Sequence, residues 1–257
     1  MNEPVLKWYR IMSNGISDNL YDDLYREKGY LLLKRSLFIY RLRRWKISKH
    51  VPPSGLILDV GSGVAPASPD LKRTVLADIS EEAMKNIDLP VKEKLVMSVT
   101  DLSFEKGSFD CVLCSEVLEH VEDDTKAISE LRRVLKAGGT LVITVPFQKK
   151  YWGEDDDYVG HVRRYEPGEL EEKLKKAGFS VVKTFRLSGP IERLLTLLSL
   201  RYYVKSGPFR KSSIGIYRIA NIMIFFLLLF AESYVSWART TRILTVAKEL
   251  ECSMRKK

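Results

Sequence analysis

The sequence predicts a doubly wound α/β fold, in which helices cover both faces of a mostly parallel sheet. Three observations support this prediction. Candidate strands alternate with candidate helices from residue 56 onward, as they do in βαβ units. The first strand candidate, Leu56–Val60, runs directly into Gly61-Ser62-Gly63, where missing side chains let the backbone approach a ligand closely. Finally, Pro52-Pro53 separates this section from an N-terminal section with a helical pattern.

The apolar periodicity gives the individual elements. Before Pro52, apolar residues recur at spacings of three and four with basic residues between them, which predicts a helical cap over residues 1–50. A helix at about Asp123–Leu135 is expected to stop at Gly138-Gly139, and another is expected over residues 166–179. The seven candidate strands are Leu56–Val60, Thr74–Ala77, Lys94–Val99, Phe109–Cys114, Thr140–Val145, Ser180–Arg186 and Arg242–Ala247.

Composition narrows the class of protein. The 257 residues are 45% hydrophobic and 10% aromatic, enough for one large domain with an appendage and too ordered for a mainly disordered chain. The N-terminus has no apolar signal-peptide core. Three cysteines, Cys111, Cys114 and Cys252, do not make a disulfide framework, so we expect a cytoplasmic protein. On their predicted strand, Cys111 and Cys114 point to opposite faces.

The net charge of +9 is concentrated at the two ends of the chain. Residues 1–50 hold eleven Lys and Arg against five Asp and Glu, and residues 201–257 hold eleven against three. The centre is mildly acidic. Such ends suit nucleic acid or an anionic membrane surface, and ordinary solvated helix faces explain them equally well.

The stretch LILDVGSGVAP is the strongest chemical signal. Gly61, Ser62 and Gly63 form the loop after the first strand. A dinucleotide fingerprint requires a third glycine where this chain has Pro66. The Asp59 carboxylate is poorly suited to a pyrophosphate and well suited to a cationic or amino-bearing ligand. Asp78, 19 residues later at the end of the second strand, is placed to accept ribose hydroxyls, and Asp101 follows the third strand.

These motifs resemble those of class I S-adenosylmethionine-dependent methyltransferases. The matching segments are LDVGSG, Asp78, VTDLSF, FDCVLCSEVLEHV and LRRVLKAGGTLVITVP, over residues 54–187. The resemblance implies a Rossmann-like core over residues 51–187, with a seven-stranded, mostly parallel sheet and S-adenosylmethionine as cofactor. The chain has Ala65-Pro66 where the family often has a further glycine. By resemblance, the cofactor is lined by Asp59, Gly61, Ser62, Gly63, Asp78, Ile79, Asp101, Leu102, Ser115 and Glu116.

The segment SEVLEHVED supplies the candidate catalytic residues. If it is helical, Glu116, Glu119 and His120 lie on one face, and His161 follows in VGHVRRY. This spacing resembles that of quinone-biosynthesis O-methyltransferases and small-RNA 3′-end methyltransferases, in which it binds a divalent metal. Three interpretations stay open: a metal site, a metal-free acid/base site of Glu119, His120 and His161, and plain wall residues. The metal is the less favoured of the two chemical alternatives.

The longest apolar stretch is IANIMIFFLLLFAE, residues 219–232. By the family resemblance, residues 188–241 are a helical insertion between two neighbouring strands, and residues 242–257 are the last strand and a basic tail. The uninterrupted run Ile222–Ala231 has 10 residues, too few to span a bilayer. We expect an interfacial element at the inner face of the membrane, with an apolar lid over the substrate or a homodimer face as alternatives.

Together these features predict O-methylation of an apolar or lipid-like small molecule, such as a quinone precursor or a lipid-linked intermediate. One alternative is an RNA methyltransferase that uses the basic ends, although no RNA-binding module is recognisable. The other is a non-catalytic partner subunit that keeps the fold.

Overall fold

The computed structural model describes residues 38–189, 191–195, 223–224 and 237–249. Within them one seven-stranded sheet forms the centre, in the order β3-β2-β1-β4-β5-β7-β6. Its strands are β1 (Ile57–Val60), β2 (Thr74–Asp78), β3 (Glu93–Val96), β4 (Phe109–Ser115), β5 (Leu135–Pro146), β6 (Phe179–Ser188) and β7 (Arg242–Glu249). The helices are α1 (Phe38–Ser48), α2 (Glu81–Asn86), α3 (Asp124–Val134), α4 (Glu154–Val159) and α5 (Glu169–Lys176).

The strand directions confirm the predicted fold class. Strands β1 to β5 pair in parallel, whereas β7 runs antiparallel between β5 and β6. Two strands that are neighbours in space, β6 and β7, are thus separated in sequence by residues 189–241. Four short 3-10 helices complete the described elements: Leu71–Arg73, Leu118–His120, Lys149–Tyr151 and Trp237–Arg239.

The helix predicted at about Asp123–Leu135 is confirmed, but the prediction that Gly138-Gly139 stops it is wrong. Helix α3 ends at Val134, and β5 begins at the next residue, Leu135. Leu135 pairs with Phe109 before a bulge shifts the register, so the chain turns into the sheet without a loop. Both glycines therefore lie inside the strand. Their missing side chains matter for packing, since a Cβ on Gly139 would lie 2.8 Å from Leu135 Cγ.

The core lies on both faces of the sheet. Cys114 belongs to the larger apolar cluster, which includes Ile128 and Leu131 of α3. Cys111 belongs to the cluster on the other face, which includes Ile47 of α1. The opposite orientation predicted for the two cysteines is confirmed. Burial raises the pKa of the Cys111 thiol to about 12 and that of Cys114 well above its usual value, so neither is a reactive thiolate.

Helix α1 is the described part of the predicted N-terminal cap. It is fastened to the end of β6, where Lys46 Nζ donates hydrogen bonds to the carbonyls of Arg186 (3.1 Å) and Leu187 (2.6 Å). The rest of the cap, most of the predicted insertion and Cys252 lie outside the described residues. Within the described residues, no helix has the length and apolar character needed to cross a membrane.

Candidate functional site

The loop after β1 is built from backbone that only glycine can supply. The Gly61 amide donates to the Ala77 carbonyl at 2.7 Å, which ties the loop to β2. Gly61 and Gly63 have positive φ angles of 64° and 50°, a conformation that costs residues with a Cβ about 1–2 kcal/mol. A Cβ on Gly61 would also lie only 2.3 Å from Val117 Cγ2. Glycine is therefore required at position 61 both by its backbone conformation and by its packing against Val117.

Asp59, at the end of β1, carries a buried oxygen that has no partner. Its side chain is 1% exposed. Oδ2 accepts a hydrogen bond from the Ser68 amide at 2.9 Å, while Oδ1 has no hydrogen-bond partner among the described residues. Burial raises the pKa of Asp59 to about 7, although the Ser68 amide opposes this shift. A cationic ligand group at Oδ1 would satisfy this carboxylate, as the sequence predicted.

Asp78 faces the same loop from the end of β2. Its Oδ2 accepts from the Gly63 amide at 2.7 Å, and its Oδ1 accepts from the Ser80 amide at 2.9 Å. Because β1 and β2 are parallel neighbours, the structure brings Asp59 and Asp78 to one edge of the sheet. Ser62 is buried in the loop between them.

The remaining predicted cofactor residues lie along the same edge with different exposures. Ile79 is 65% exposed, whereas the Leu102 side chain is buried in the main core. The Leu102 amide donates to Glu130 of α3 at 3.0 Å, and Arg133 donates to the Leu102 carbonyl at 2.5 Å. Asp101 is exposed beside this anchored turn.

Glu116 follows β4 and joins a network of buried charges. Its Oε2 lies 2.9 Å from Arg242 and 3.2 Å from Arg43, and its Oε1 accepts from the Thr144 hydroxyl at 3.0 Å. Arg242 also donates to Glu192 at 2.9 Å. Burial disfavours the charged form of Glu116, but the two arginines outweigh it and lower its pKa to about 2. We call Glu116, Arg43, Arg242 and Glu192 the arginine–glutamate network.

Glu116 is not on a helix face with Glu119 and His120, so that part of the sequence prediction is wrong. The helical turn covers only Leu118–His120, and Glu116 precedes it with a positive φ of 56°. The preceding residue, Ser115, is hydrogen-bonded to Thr144 Oγ1 at 2.9 Å. The sharp turn after β4 thus sends Glu116 and Glu119 into different surroundings.

Glu119 is fully buried and chemically unsatisfied. Its side chain is 0% exposed, and neither oxygen has a hydrogen-bond partner among the described residues. Its Oε1 lies 3.9 Å from Nε2 of His161. Burial, with a contribution from the charge of Glu116, raises the pKa of Glu119 well above its usual value. A carboxyl group in this condition is either a neutral acid or the ligand of a cation that is not part of the chain.

What we call the Glu–His cluster consists of Glu119, His120 and His161. The two ring centroids are 4.7 Å apart, and one ligating atom from each of the three residues lies within 4.8 Å of the others. His161 Nδ1 donates to Asp156 Oδ1 at 2.7 Å, and His120 Nδ1 contacts the Gly160 carbonyl at 3.3 Å. Since a carboxylate and a carbonyl can only accept, each neutral ring keeps its lone pair on Nε2.

Asp156 contacts His161 and is a candidate site residue that the sequence did not reveal. Besides His161, it accepts from Arg164 at both oxygens, each at 2.8 Å. Burial works against its ionisation, but these hydrogen bonds lower the pKa of Asp156 to about 2. Arg164 is therefore buried as the partner of Asp156, and Arg163 pairs with Asp124 at 2.9 Å. Both arginines of the VRRY turn thus have internal partners.

The arginine–glutamate network was also missed. For Arg43 a signal existed: Ile39, Arg43 and Ile47 follow each other at spacings of four, which places the arginine within the buried stripe of α1. For Arg242 and Glu192 no local pattern indicates an inward orientation.

Comparison with known proteins agrees with this fold. Residues 58–143, from β1 to within β5, match the sequence profile of a family described as "Methyltransferase domain". This match supports, over those residues, the class I S-adenosylmethionine-dependent methyltransferase that the sequence predicts. The matched segment contains the glycine loop, Asp78 and the candidate residues up to His120.

Two relatives and one solved structure give the extent of the similarity. An uncharacterized protein of Methanocaldococcus jannaschii is 26% identical over 168 residues, 63% of this chain and 82% of that one. A ubiquinone biosynthesis O-methyltransferase of Xanthomonas axonopodis is 36% identical over 110 residues, 38% of this chain and 46% of the relative. The match thus spans less than half of that enzyme. A SAM-dependent methyltransferase of Thermotoga maritima has a similar fold, with a TM-score of 0.54 and 17% identity over 94% of this chain and 99% of that one.

Proposed function

We propose that this protein transfers a methyl group from S-adenosylmethionine to a hydroxyl oxygen of an apolar or lipid-like small molecule. The observation that carries the proposal is the Glu–His cluster, in which two imidazoles and a buried carboxyl group lie just past the carboxyl end of β4. Open α/β sheets bind their ligands at this edge, and a base there is needed for a hydroxyl acceptor more than for an amine.

The glycine loop and its carboxylates fit the cofactor. The Oδ1 of Asp59, which has no partner among the described residues, suits the amino group of the methionine end. In this proposal Asp78 accepts hydrogen bonds from the ribose hydroxyls. When bound, the cofactor would supply an electrophilic methyl group on a sulfonium. The electron pair of the broken C–S bond would stay on sulfur.

His161 is the base in this proposal. Its Nε2 accepts the hydroxyl proton as the acceptor oxygen bonds to the methyl carbon. Asp156 orients the ring through Nδ1 and stabilises the resulting imidazolium, and Arg164 holds Asp156 in place. Glu119 is a neutral acid 3.9 Å from Nε2, and His120 packs against the His161 ring as the third member of the cluster.

Charge balance supports an acceptor without a strong negative charge. Arg43 and Arg242 pair with Glu116, and Arg164 pairs with Asp156, so these cations are already neutralised inside the protein. The partial likeness to a ubiquinone biosynthesis O-methyltransferase and the apolar run at residues 222–231 agree with a lipid-like acceptor. We also infer a cytoplasmic protein at the inner face of the membrane, with the cap, core, insertion and tail at the boundaries given above.

A divalent metal in the Glu–His cluster is the second candidate. One carboxylate and two imidazoles suit a borderline divalent ion, and the two unpartnered oxygens of Glu119 favour it. His161 also shows the carboxylate–histidine arrangement that commonly supports a metal ligand. Glu119, His120 and His161 would hold the ion, which would lower the pKa of the acceptor hydroxyl. Glu116 does not join them, since the two arginines occupy it.

The test is incubation of the purified protein with methyl-labelled S-adenosylmethionine and a total cell extract, followed by separation into lipid, RNA, protein and water-soluble fractions. We expect label in the lipid fraction, unaffected by a metal chelator. His161→Ala is expected to reduce the rate about 100-fold or more. His50→Ala is the matched control, because His50 stacks on Phe185 away from the cluster and should leave the rate unchanged.

Each other result selects a different function. Label in RNA alone would establish the RNA methyltransferase. Activity lost with the chelator and restored by Mg²⁺ or Mn²⁺ would replace the metal-free base by the metal site. Failure to bind S-adenosylmethionine in a calorimeter would leave the non-catalytic partner subunit.

A further inference from the structure

Residues 191–195 are helical and lie at the start of the predicted insertion. We call them the root segment. Glu192 is fully buried and accepts a hydrogen bond from Arg242 of β7 at 2.9 Å. Leu195 packs against the buried apolar residues at the start of α1. Since Glu192 and Leu195 are three residues apart, they share the inner face of the helical turn. The root segment is therefore fixed to both β7 and α1.

Arg193 fixes the root segment to a third element. Its guanidinium donates to the Tyr151 carbonyl and, at 2.7 Å, to Asp155 Oδ1 of α4. Helix α4 also carries Asp156, which holds His161 of the Glu–His cluster at 2.7 Å. The root segment thus contacts the arginine–glutamate network on one side and the helix that supports the Glu–His cluster on the other.

The exposed side of this contact is apolar. Ile191 and Leu194, which are also three residues apart, are 46% and 57% exposed. Trp152 directly follows Tyr151 and is 40% exposed, although its indole N–H donates to Asp157 of α4 at 2.9 Å. We call Trp152, Ile191 and Leu194 the apolar patch. Exposed apolar side chains grouped in this way are typical of a binding surface.

The charged groups beside the apolar patch have partners inside the protein. Glu192 pairs with Arg242, and Arg193 pairs with Asp155, each at less than 3 Å. The exposed lysines of residues 149–150 lie at the margin of the patch. A ligand of the patch therefore meets apolar side chains, with cations only at the edge. This arrangement suits an uncharged hydrocarbon chain, whose binding grows with the apolar area that it buries, and does not suit a polyanion.

We propose that the apolar patch binds the hydrocarbon chain of the acceptor while the acceptor's hydroxyl group lies at the Glu–His cluster. The acceptor is that of the proposed function, on which this assignment rests, and it is narrowed to a molecule with an apolar chain. The position of the patch supports the assignment. Helix α4 binds Trp152 through Asp157 and His161 through Asp156, so one short helix connects the patch with the cluster. Small-molecule sites commonly combine an apolar lining with a few polar groups in this way.

Quenching of tryptophan fluorescence tests this chain site without methyl transfer. The probe is bromoundecanol with its bromine at the chain end, which quenches an indole that it contacts, and bromopropanol is the short-chain control. Trp152→Phe removes the reporter of the patch. Its matched control is Trp45→Phe, because Trp45 on α1 is equally exposed, at 40%. Leu194→Ser weakens the patch itself. Its control is Val182→Ser on β6, where the valine is 58% exposed against 57% for Leu194.

We expect bromoundecanol to quench the wild type saturably and bromopropanol to leave it unquenched. The saturable part should disappear in Trp152→Phe and persist in Trp45→Phe. Leu194→Ser should bind the long alcohol about tenfold more weakly, because about half of a leucine side chain loses its apolar contact, whereas Val182→Ser should bind it normally. All variants should bind S-adenosylmethionine alike. Quenching without methyl transfer would refute the proposed function alone, and methyl transfer to lipid without quenching would refute the chain site alone.

Four results overturn the chain site. The wild type shows no saturable quenching, or the two serine variants lose binding equally. In the third, sedimentation shows a dimer that Leu194→Ser dissociates, which would make the patch a face for a second copy of the chain. In the fourth, flotation shows binding to phosphatidylcholine vesicles that Leu194→Ser abolishes, which would make it a bilayer contact. Circular dichroism melting checks that the variants fold, and Ile191→Ser is the second variant should Leu194→Ser unfold.

Discussion

Two regions at the same edge of the sheet are fixed by different kinds of contact. One is the glycine loop after β1, residues 61–63, and the other is the acidic segment after β4, residues 116–120. The loop is held by backbone: Gly61 donates to β2, and the Asp59 and Asp78 carboxylates accept from amides nine and 15 residues away. The acidic segment is held by side chains from distant parts of the chain. Glu116 pairs with Arg242, 126 residues later.

This difference decides how each region responds to substitution. A backbone-built loop depends on the absence of side chains at a few positions. In the acidic segment, by contrast, the identity of the partner matters. Glu116 is ionised between two arginines, whereas Glu119 has no hydrogen-bond partner among the described residues and a raised pKa. Glu116 is thus an ion-paired residue of the fold, and Glu119 is a buried carboxyl group open to a proton or a cation.

The largest expected effect separates these two glutamates. Glu116→Gln leaves Arg43 and Arg242 without their shared carboxylate, and should lower the free energy of unfolding by about 3–5 kcal/mol at pH 7. Glu119→Gln should leave the protein at least as stable as the wild type at pH 7, because an amide of the same shape does not have to be protonated on folding, as a carboxyl group with a raised pKa does. Urea denaturation of both variants in the presence of a chelator measures the difference.

The stability difference between Glu116→Gln and the wild type should depend on pH. A carboxylate with a depressed pKa stabilises the fold above its unfolded-state pKa and loses this contribution as pH falls through the folded-state value. The stability gap to wild type should therefore be complete above the ordinary pKa of 4.5 and close as the pH approaches about 2. Equal losses for the two variants would contradict the contrast drawn here.

A smaller effect is expected in the glycine loop. Gly61→Ala should cost about 2–4 kcal/mol of stability, from backbone strain and from the contact with Val117, and should abolish detectable cofactor binding. Gly168→Ala is the matched control: its φ is 86°, yet nothing lies within 4 Å of an added Cβ. It should cost only the strain and leave binding intact. Thermal melting and calorimetry with S-adenosylmethionine measure both, and intact binding by Gly61→Ala would show that the loop does not approach the ligand.

The smallest effect concerns Asp59 and pH. With a pKa of about 7 in the free protein, this group is mostly protonated at pH 6 and mostly ionised at pH 8, so S-adenosylmethionine should bind about tenfold more tightly at the higher pH. Folding stability should move the other way, falling between pH 4 and 7 as the unfolded chain releases this proton first.

Asp59→Asn controls for the titration of the ligand itself. In this variant the extra gain in affinity between pH 6 and 8 should vanish, although overall binding is weaker. Calorimetry at several pH values measures it. An unchanged pH profile would mean that Asp59 does not contact the cationic end of the cofactor.

The predictions from sequence were most accurate where structure depends on near neighbours. The strand boundaries of β1 and β2 and the orientation of Cys111 and Cys114 followed from apolar runs and from the alternation of strand side chains. The shared helix face of Glu116, Glu119 and His120 was expected only if SEVLEHV is helical. The helical turn covers only Leu118–His120, and Glu116 precedes it with a positive φ of 56°. Asp156 was overlooked because EDDD resembles any solvated acidic stretch.

The sequence by itself determined the α/β class, the glycine loop and the candidate carboxylates and histidines, since periodicity and the missing side chains of glycine act over short distances along the chain. Only the tertiary structure decided which glutamate is neutralised by arginine and which carboxylate is hydrogen-bonded to His161. Burial and ion pairing depend on contacts between residues far apart in sequence, and no local pattern records such contacts.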